Sequence, residues 1–154
     1  MLKGFGCALA LVVLSAGLAL GAEKQVIHPL GAGKQIIQPP GTKPGGTWSY
    51  GILVDGTLYI SGMGGEDANG KVPDDFEAEV KQALANISVV LKTANMSPDD
   101  VVSVQVYLTD GALFQRMNAV YTGYFKDPRP TRTTVVVAKL VGPGRIEVTA
   151  TARK

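Results

Sequence analysis

The stretch "PDDFEAEVKQALANISVVLKTANMSPDDVVSVQVYL" (Pro73–Leu108) changes its period partway along. In its first part Phe76, Val80, Leu84, Ile87 and Leu91 recur at steps of four, four, three and four, an apolar stripe along one side of a helix. Asp74 and Glu77 stand at capping-box spacing at the start of that helix. "SPDD" breaks the pattern. Val102, Val104, Val106 and Leu108 then alternate with Ser103, Gln105 and Tyr107, which predicts a strand with one buried face. A long amphipathic helix running into such a strand implies a sheet backed by helices.

Upstream, "YGILVDGTLYISG" predicts a hairpin: Tyr50–Val54, an Asp55-Gly56 turn, then Thr57–Ser61. A glycine-rich loop, Gly62–Pro73, joins it to the helix. Downstream, a second helix is expected over Ala112–Phe125, carrying Leu113, Met117, Val120, Tyr121 and Tyr124. "RPTRTTVVVAKL" (Arg129–Leu140) reads as a strand rich in β-branched residues, and "VGPG" leads into a last alternating strand, "RIEVTATA" (Arg145–Ala152). The order ββαβαββ predicts an α+β fold, a mixed sheet with two helices on one face. The other face, expected to carry Arg132, Thr134, Glu147 and Thr149, needs cover from a partner subunit.

The chain's 154 residues suffice for one ordinary core, and 45% hydrophobic with 18% charged residues is a globular composition. Its first segment stands apart. Lys3 precedes the apolar run Ala8–Leu20, and small residues at Ala19, Gly21 and Ala22 follow, the pattern of a secretory signal peptide over residues 1–22. An uncleaved anchor is the alternative reading of the same run. Cleavage implies export, to the periplasm or the medium, and removes Cys7, the one cysteine, so the mature chain has neither a thiol nucleophile nor a disulfide. It also removes Lys3, leaving 14 of the 15 basic residues against 13 acidic ones. That balance, with the charges scattered, argues against a nucleic-acid surface.

Residues 23–46 form a Gly/Pro-rich tail with a near-repeat, "KQVIHP" then "KQIIQP", expected as polyproline II or a loosely docked strand. The single histidine, His28, lies in this tail and has no companions to make a metal site. The folded domain is expected over residues 47–154.

"YISG", "ALANISVVLKTA", "DDVVSVQVYLTD", "FQRMNAVYTGYF", "RPTRTTVVVAKL" and "RIEVTATA" resemble, in order and spacing, the RidA/YjgF family of reactive-intermediate imine deaminases. The resemblance covers about Thr47–Arg153. It implies a chorismate-mutase-like fold, a homotrimer with clefts between subunits, and hydrolysis of enamines or imines such as 2-aminoacrylate to 2-oxo acids and ammonia; by the residue chemistry such a reaction needs no metal or organic cofactor, and the sequence offers no ligand cluster for one. It also implies roles. Arg132 of Pro130-Thr131-Arg132 matches the arginine that grips the substrate carboxylate, and Glu147 the glutamate that orients water. Ser61-Gly62 matches the pair that closes the second strand, and Asn118 the helix asparagine. The chain departs from the family pattern at Trp48 (tyrosine in the family), Thr134 (commonly cysteine), Met63 (often glutamine) and Thr149 (glutamate), so the lining of the pocket differs.

The residue chemistry agrees with these roles. A guanidinium binds a carboxylate through two parallel charge-assisted hydrogen bonds, and a carboxylate on what is expected to be a neighbouring strand can hold a water for attack on C=N. Two other readings stand beside it. Arg132 and Glu147 can form a structural ion pair at an interface, and Ser61 can simply shape a turn. Three function classes follow: an imine deaminase, a non-catalytic module binding a small carboxylate or a protein, and an RNA-cleaving enzyme. The last is disfavoured by the missing histidine and basic stripe.

Overall fold

The computed structural model describes residues 26–30, 33–43 and 46–154. The segment expected to be a signal peptide, Cys7 included, lies outside them. Among the described residues no helix is long and apolar enough to cross a membrane.

Seven strands form one sheet: β1 (Val26–Leu30), β2 (Lys34–Gln38), β3 (Gly51–Val54), β4 (Thr57–Gly64), β5 (Val101–Leu108), β6 (Thr131–Val136) and β7 (Ile146–Arg153), in the spatial order β1-β2-β3-β4-β7-β5-β6. All neighbours are antiparallel except β5 and β6, which need the crossover that helix α2 (Phe114–Tyr124) supplies. Helix α1 (Phe76–Thr93) connects β4 to β5, and β7 fills the gap left between those two strands.

The hairpin β3–β4 turns at Asp55 and Gly56, both with left-handed φ (48° and 73°), which the right-handed twist of the flanking strands favours. Glycine is required at the second position also because a Cβ there would sit 2.7 Å from the Lys154 carbonyl oxygen. The α1 stripe is buried as predicted: Phe76, Val80, Leu84, Ile87 and Leu91 all pack into the core against the sheet. The cap is Asp75, whose carboxylate accepts from the Ala78 amide at 2.8 Å; Asp74, expected in that role, lies one residue outside.

Three further expectations need correction. The tail is not loosely docked. Residues 26–30 and 34–38, within its two near-repeat copies, pair antiparallel as β1 and β2, Ile27 opposite Ile37, and β2 extends the sheet beyond β3. Ile37 is fully buried, so folding begins well before Thr47. Val102 does not share the buried face of β5. A bulge between Val101 and Ser103 turns it outward, 50% exposed, and Val101 takes its place. The second helix opens with a tight 3₁₀ turn (Gly111–Leu113) capped by Asp110, and its α-helical part starts only at Phe114.

Candidate functional site

On β4 the register passes from Ile60 opposite Ala150 to Met63 opposite Val148, so Ser61 and Gly62 together face the single residue Thr149. Ser61-Gly62 is thus a bulge inside β4, which runs on to Gly64, and does not close the strand. Ser61 is committed to holding this shape. Its hydroxyl donates to the Ser49 carbonyl at 2.6 Å and its amide to the Tyr50 carbonyl at 3.1 Å. Gly62 has a different use: the Glu147 carboxyl from β7 lies against its bare Cα. A Cβ there would overlap Glu147 Oε1 and stand 2.6 Å from the carboxyl carbon. Beyond Glu147 opens a cleft of about 920 Å³, walled in part by Trp48, Tyr50, Glu66 and Val89. Trp48 is 47% exposed and meets Tyr50 edge-on, ring centroids 4.7 Å apart. Met63, expected as a change in the pocket wall, is largely buried and does line this cleft. Trp48, Ser61, Gly62 and Glu147 are therefore brought together.

Arg132, Thr134 and Asn118 form a second group elsewhere. Arg132 pairs with Val104 and Thr134 with Val106, both core-facing residues of β5, so on the edge strand β6 these side chains point to the helix side. There the Arg132 guanidinium lies over the Tyr121 ring at 4.5 Å and the Phe114 ring at 5.7 Å, with Nη1 3.9 Å from Met117 Sδ. Asn118 belongs to the same stripe of α2, four residues after Phe114 and three before Tyr121. The Thr134 and Tyr121 hydroxyls are buried without a hydrogen-bond partner. Burial pushes the Tyr121 hydroxyl pKa up, against the opposing pull of the Arg132 and Arg129 charges.

Glu147, by contrast, pairs with Tyr107, three residues from Val104 and so on the opposite face of the sheet. Two expectations fall here. Arg132 and Thr134 do not line the face that carries Glu147 and Thr149, and β6 does not neighbour β7, because β5 runs between them. Within one chain Arg132 and Glu147 do not form an ion pair. The error traces to "RTTVVV", a run of β-branched residues without polar alternation, which leaves the direction of each side chain undetermined.

One functional support went unread. Glu79 on α1 is fully buried and accepts from Arg145 Nε at 2.6 Å and from the Ile146 amide at 3.3 Å. Arg145 in turn donates to the Pro73 and Asp74 carbonyls, fastening the entry of β7 to the start of α1 two residues before Glu147. The signal was present: Glu79 lies three residues after Phe76 and four before Ala83, on the buried stripe itself.

Residues 40–154 match the family described as Endoribonuclease L-PSP. The chain is 43% identical over 109 residues to the 2-iminobutanoate/2-iminopropanoate deaminase of Bos taurus, 70% of this chain and 80% of that one. It is 39% identical over 114 residues to a RutC family protein of Sulfurisphaera tokodaii, covering 73% and 91%. Among solved structures it superposes on RidA from an Antarctic Psychrobacter with a TM-score of 0.69 at 33% identity, covering 73% of this chain and 92% of that one. For the YjgF gene product of E. coli the TM-score is 0.66 at 28% identity, with 70% and 87% covered. The bulge that seats Glu147, the edge strand that carries Arg132 and these likenesses agree: the chain belongs to the RidA/YjgF family.

Proposed function

We propose that this protein hydrolyses small enamines and imines of the 2-aminoacrylate type to 2-oxo acids and ammonia, in clefts shared between copies of the chain. One observation carries the reading. The charges the reaction needs, a guanidinium with no carboxylate partner among the described residues and a carboxylate seated on a bare glycine at the mouth of a cleft, lie on opposite faces of one sheet. A single chain does not bring them together, whereas a second copy can present its Arg132, Asn118 and Thr134 to the Glu147 of the first. The outer face of the sheet suits such contact: Tyr59, Ser103, Gln105, Tyr107, Thr149 and Thr151 line it, and Tyr59 is 53% exposed. Three-fold closure, as the family likeness implies, would give three equivalent clefts.

The chemistry is modest. Arg132 grips the substrate carboxylate with two parallel hydrogen bonds. An enamine first shifts a proton from nitrogen to its terminal carbon to become the imine; Glu147 then takes a proton from a water as the oxygen adds to the C=N carbon and passes it to the nitrogen, giving a carbinolamine. The C–N bond then breaks, its electron pair and a proton leave as ammonia, and the carbonyl of the 2-oxo acid remains. Trp48 and Thr134, where the family carries tyrosine and cysteine, would set which side chain fits. Ammonia release from freshly generated 2-aminoacrylate, with light scattering on the same sample, tests the whole. Accelerated release by a species of three chain masses is expected. Release no faster than in buffer, or a monomer at micromolar concentration, overturns it.

A further inference from the structure

An arginine this close to a core normally has a carboxylate for company, because an unpaired buried cation is costly. Among the described residues, none lies within ion-pair distance of Arg132. Its surroundings are soft and uncharged: the Tyr121 ring at 4.5 Å, the Phe114 ring at 5.7 Å and the Met117 sulfur. The Tyr121 ring is itself held. It packs on Phe125 at 4.7 Å, Phe125 meets Tyr124 edge-on at 4.6 Å, and the Tyr124 hydroxyl is 2.5 Å from Ser88 Oγ on α1. A relay of three aromatic side chains thus ties the surface under Arg132 to the main helix. The Tyr121 side chain is 4% exposed, yet its hydroxyl bonds to nothing.

We propose that Tyr121 is a positioning residue: its ring faces the Arg132 guanidinium and fixes its plane while leaving the in-plane N–H donors uncommitted, apart from the one that Nη1 turns to the Met117 sulfur. This deepens the deaminase reading and rests on Arg132 being the carboxylate grip. The two modes of holding an arginine differ in what they consume. A carboxylate partner takes up N–H donors, the same donors a substrate needs, whereas a ring attracts the cation through its face and leaves the edge free. The unpartnered hydroxyl shows which part of Tyr121 is used. The ring does the holding, so phenylalanine should serve as well and leucine should not.

The test compares Tyr121→Phe, Tyr121→Leu and Arg132→Ala. Pyruvate, a stable 2-oxo acid, is the calorimetric probe. Tyr121→Phe should bind it within twofold of wild type, and Tyr121→Leu roughly three- to thirty-fold more weakly, the range a desolvated cation–ring contact allows. In deaminase kinetics the Leu loss should fall on KM more than on kcat, since the water on Glu147 is untouched. In an Arg132→Ala background Tyr121→Leu should add nothing, because its effect runs through the arginine. General loosening of the fold would persist in that background. Pyruvate affinity unchanged in Tyr121→Leu, or a loss that survives Arg132→Ala, overturns the proposal. A ligand-free readout separates it from the deaminase reading. In NMR spectra the Arg132 δ-methylene protons should be displaced upfield by the ring current in wild type and Tyr121→Phe, and return to ordinary positions in Tyr121→Leu. No displacement in wild type overturns the proposal even if pyruvate binds. Displacement without pyruvate binding by wild type would sink the carboxylate reading and leave the stacking standing.

Discussion

Gly62→Ala isolates the placement of Glu147 from everything else in the fold. Gly62 is solvent-facing and its φ lies outside the left-handed region, so an L-residue fits the backbone there. The one obstacle is the Glu147 carboxyl: the new methyl would overlap Oε1 and stand 2.6 Å from the carboxyl carbon, far inside contact distance. A carboxyl at the end of a flexible side chain yields more easily than a strand, so Glu147 swings off its seat. The stability terms then oppose each other. Replacing glycine where the backbone permits it stabilises by about 0.4–1 kcal/mol through the unfolded chain, and an off-rotamer Glu147 costs about 0.5–1.5 kcal/mol. The net is near zero. Catalysis has no such compensation. Losing a positioned general base costs about 10²–10⁴-fold, so kcat should fall by that factor while the melting temperature moves by no more than a few degrees. Glu147→Gln should lose as much, and the double variant no more than either single, because both remove the same function. The assay is ammonia release with calorimetric melting on the same preparations. A Gly62→Ala protein with kcat within twofold of wild type would show that the seat of Glu147 does not matter, and the proposed chemistry with it.

Three further outcomes are expected. Arg132→Ala and Arg132→Lys should lose pyruvate binding nearly equally, since a lysine cannot reproduce the two-pronged grip. Arg132→Ala should destabilise by only about 0.5–2 kcal/mol, the worth of its ring contacts; a loss of roughly 3–5 kcal/mol in denaturant unfolding would reveal a stranded ion-pair partner. Arg145→Ala should cost that larger amount, roughly 3–5 kcal/mol, because it leaves the fully buried Glu79 unpaired; Glu79→Gln leaves only the partly solvent-exposed Arg145 without its carboxylate and should cost less, and the reverse ranking would refute the account. The Arg116 hydrogen bond holds the Glu77 pKa at about 2, against an ordinary 4.5. A depressed carboxylate pKa stabilises fully above the unfolded value and loses that contribution as pH falls through the folded one. The melting difference between wild type and Glu77→Gln should therefore be present above pH 4.5 and vanish by about pH 2; a difference that grows with acid would contradict the assignment.

Local pattern carried much of the architecture. The α1 stripe, the Asp55-Gly56 turn and the alternation in β7 each state their own structure within a dozen residues, and each formed. What stayed hidden was non-local. No local signal says that β7, last in the chain, slides between β4 and β5, and that insertion separates the strands carrying Arg132 and Glu147. Val102 was assigned to the wrong face because a bulge shifts the period by one residue, which hydrophobicity alone does not encode. The candidate site was legible as a set of residues through the family likeness. It was not legible as an arrangement, because side-chain direction in "RTTVVV" depends on register with β5.

That arrangement has a chemical consequence. Placed within reach of each other on one face, Arg132 and Glu147 would pair, and a pair satisfies both charges at the expense of both functions. The guanidinium would spend its N–H donors on Glu147, and a carboxylate held by a cation would be a poorer base. Separation by the thickness of the sheet prevents this within one chain. Arg132 is held instead by rings that ask for no hydrogen bonds, and Glu147 by a glycine that offers none. In the proposed assembly the two charges meet across a subunit boundary, where the rigid sheet and α2 fix how closely they approach. A substrate brings a carboxylate for the arginine and an electrophilic carbon for the water on the glutamate, so it fits between the two charges and completes what each lacks. An assembly that let the two side chains touch directly would bind substrate only by breaking that pair, at a cost of several kcal/mol in a desolvated cleft.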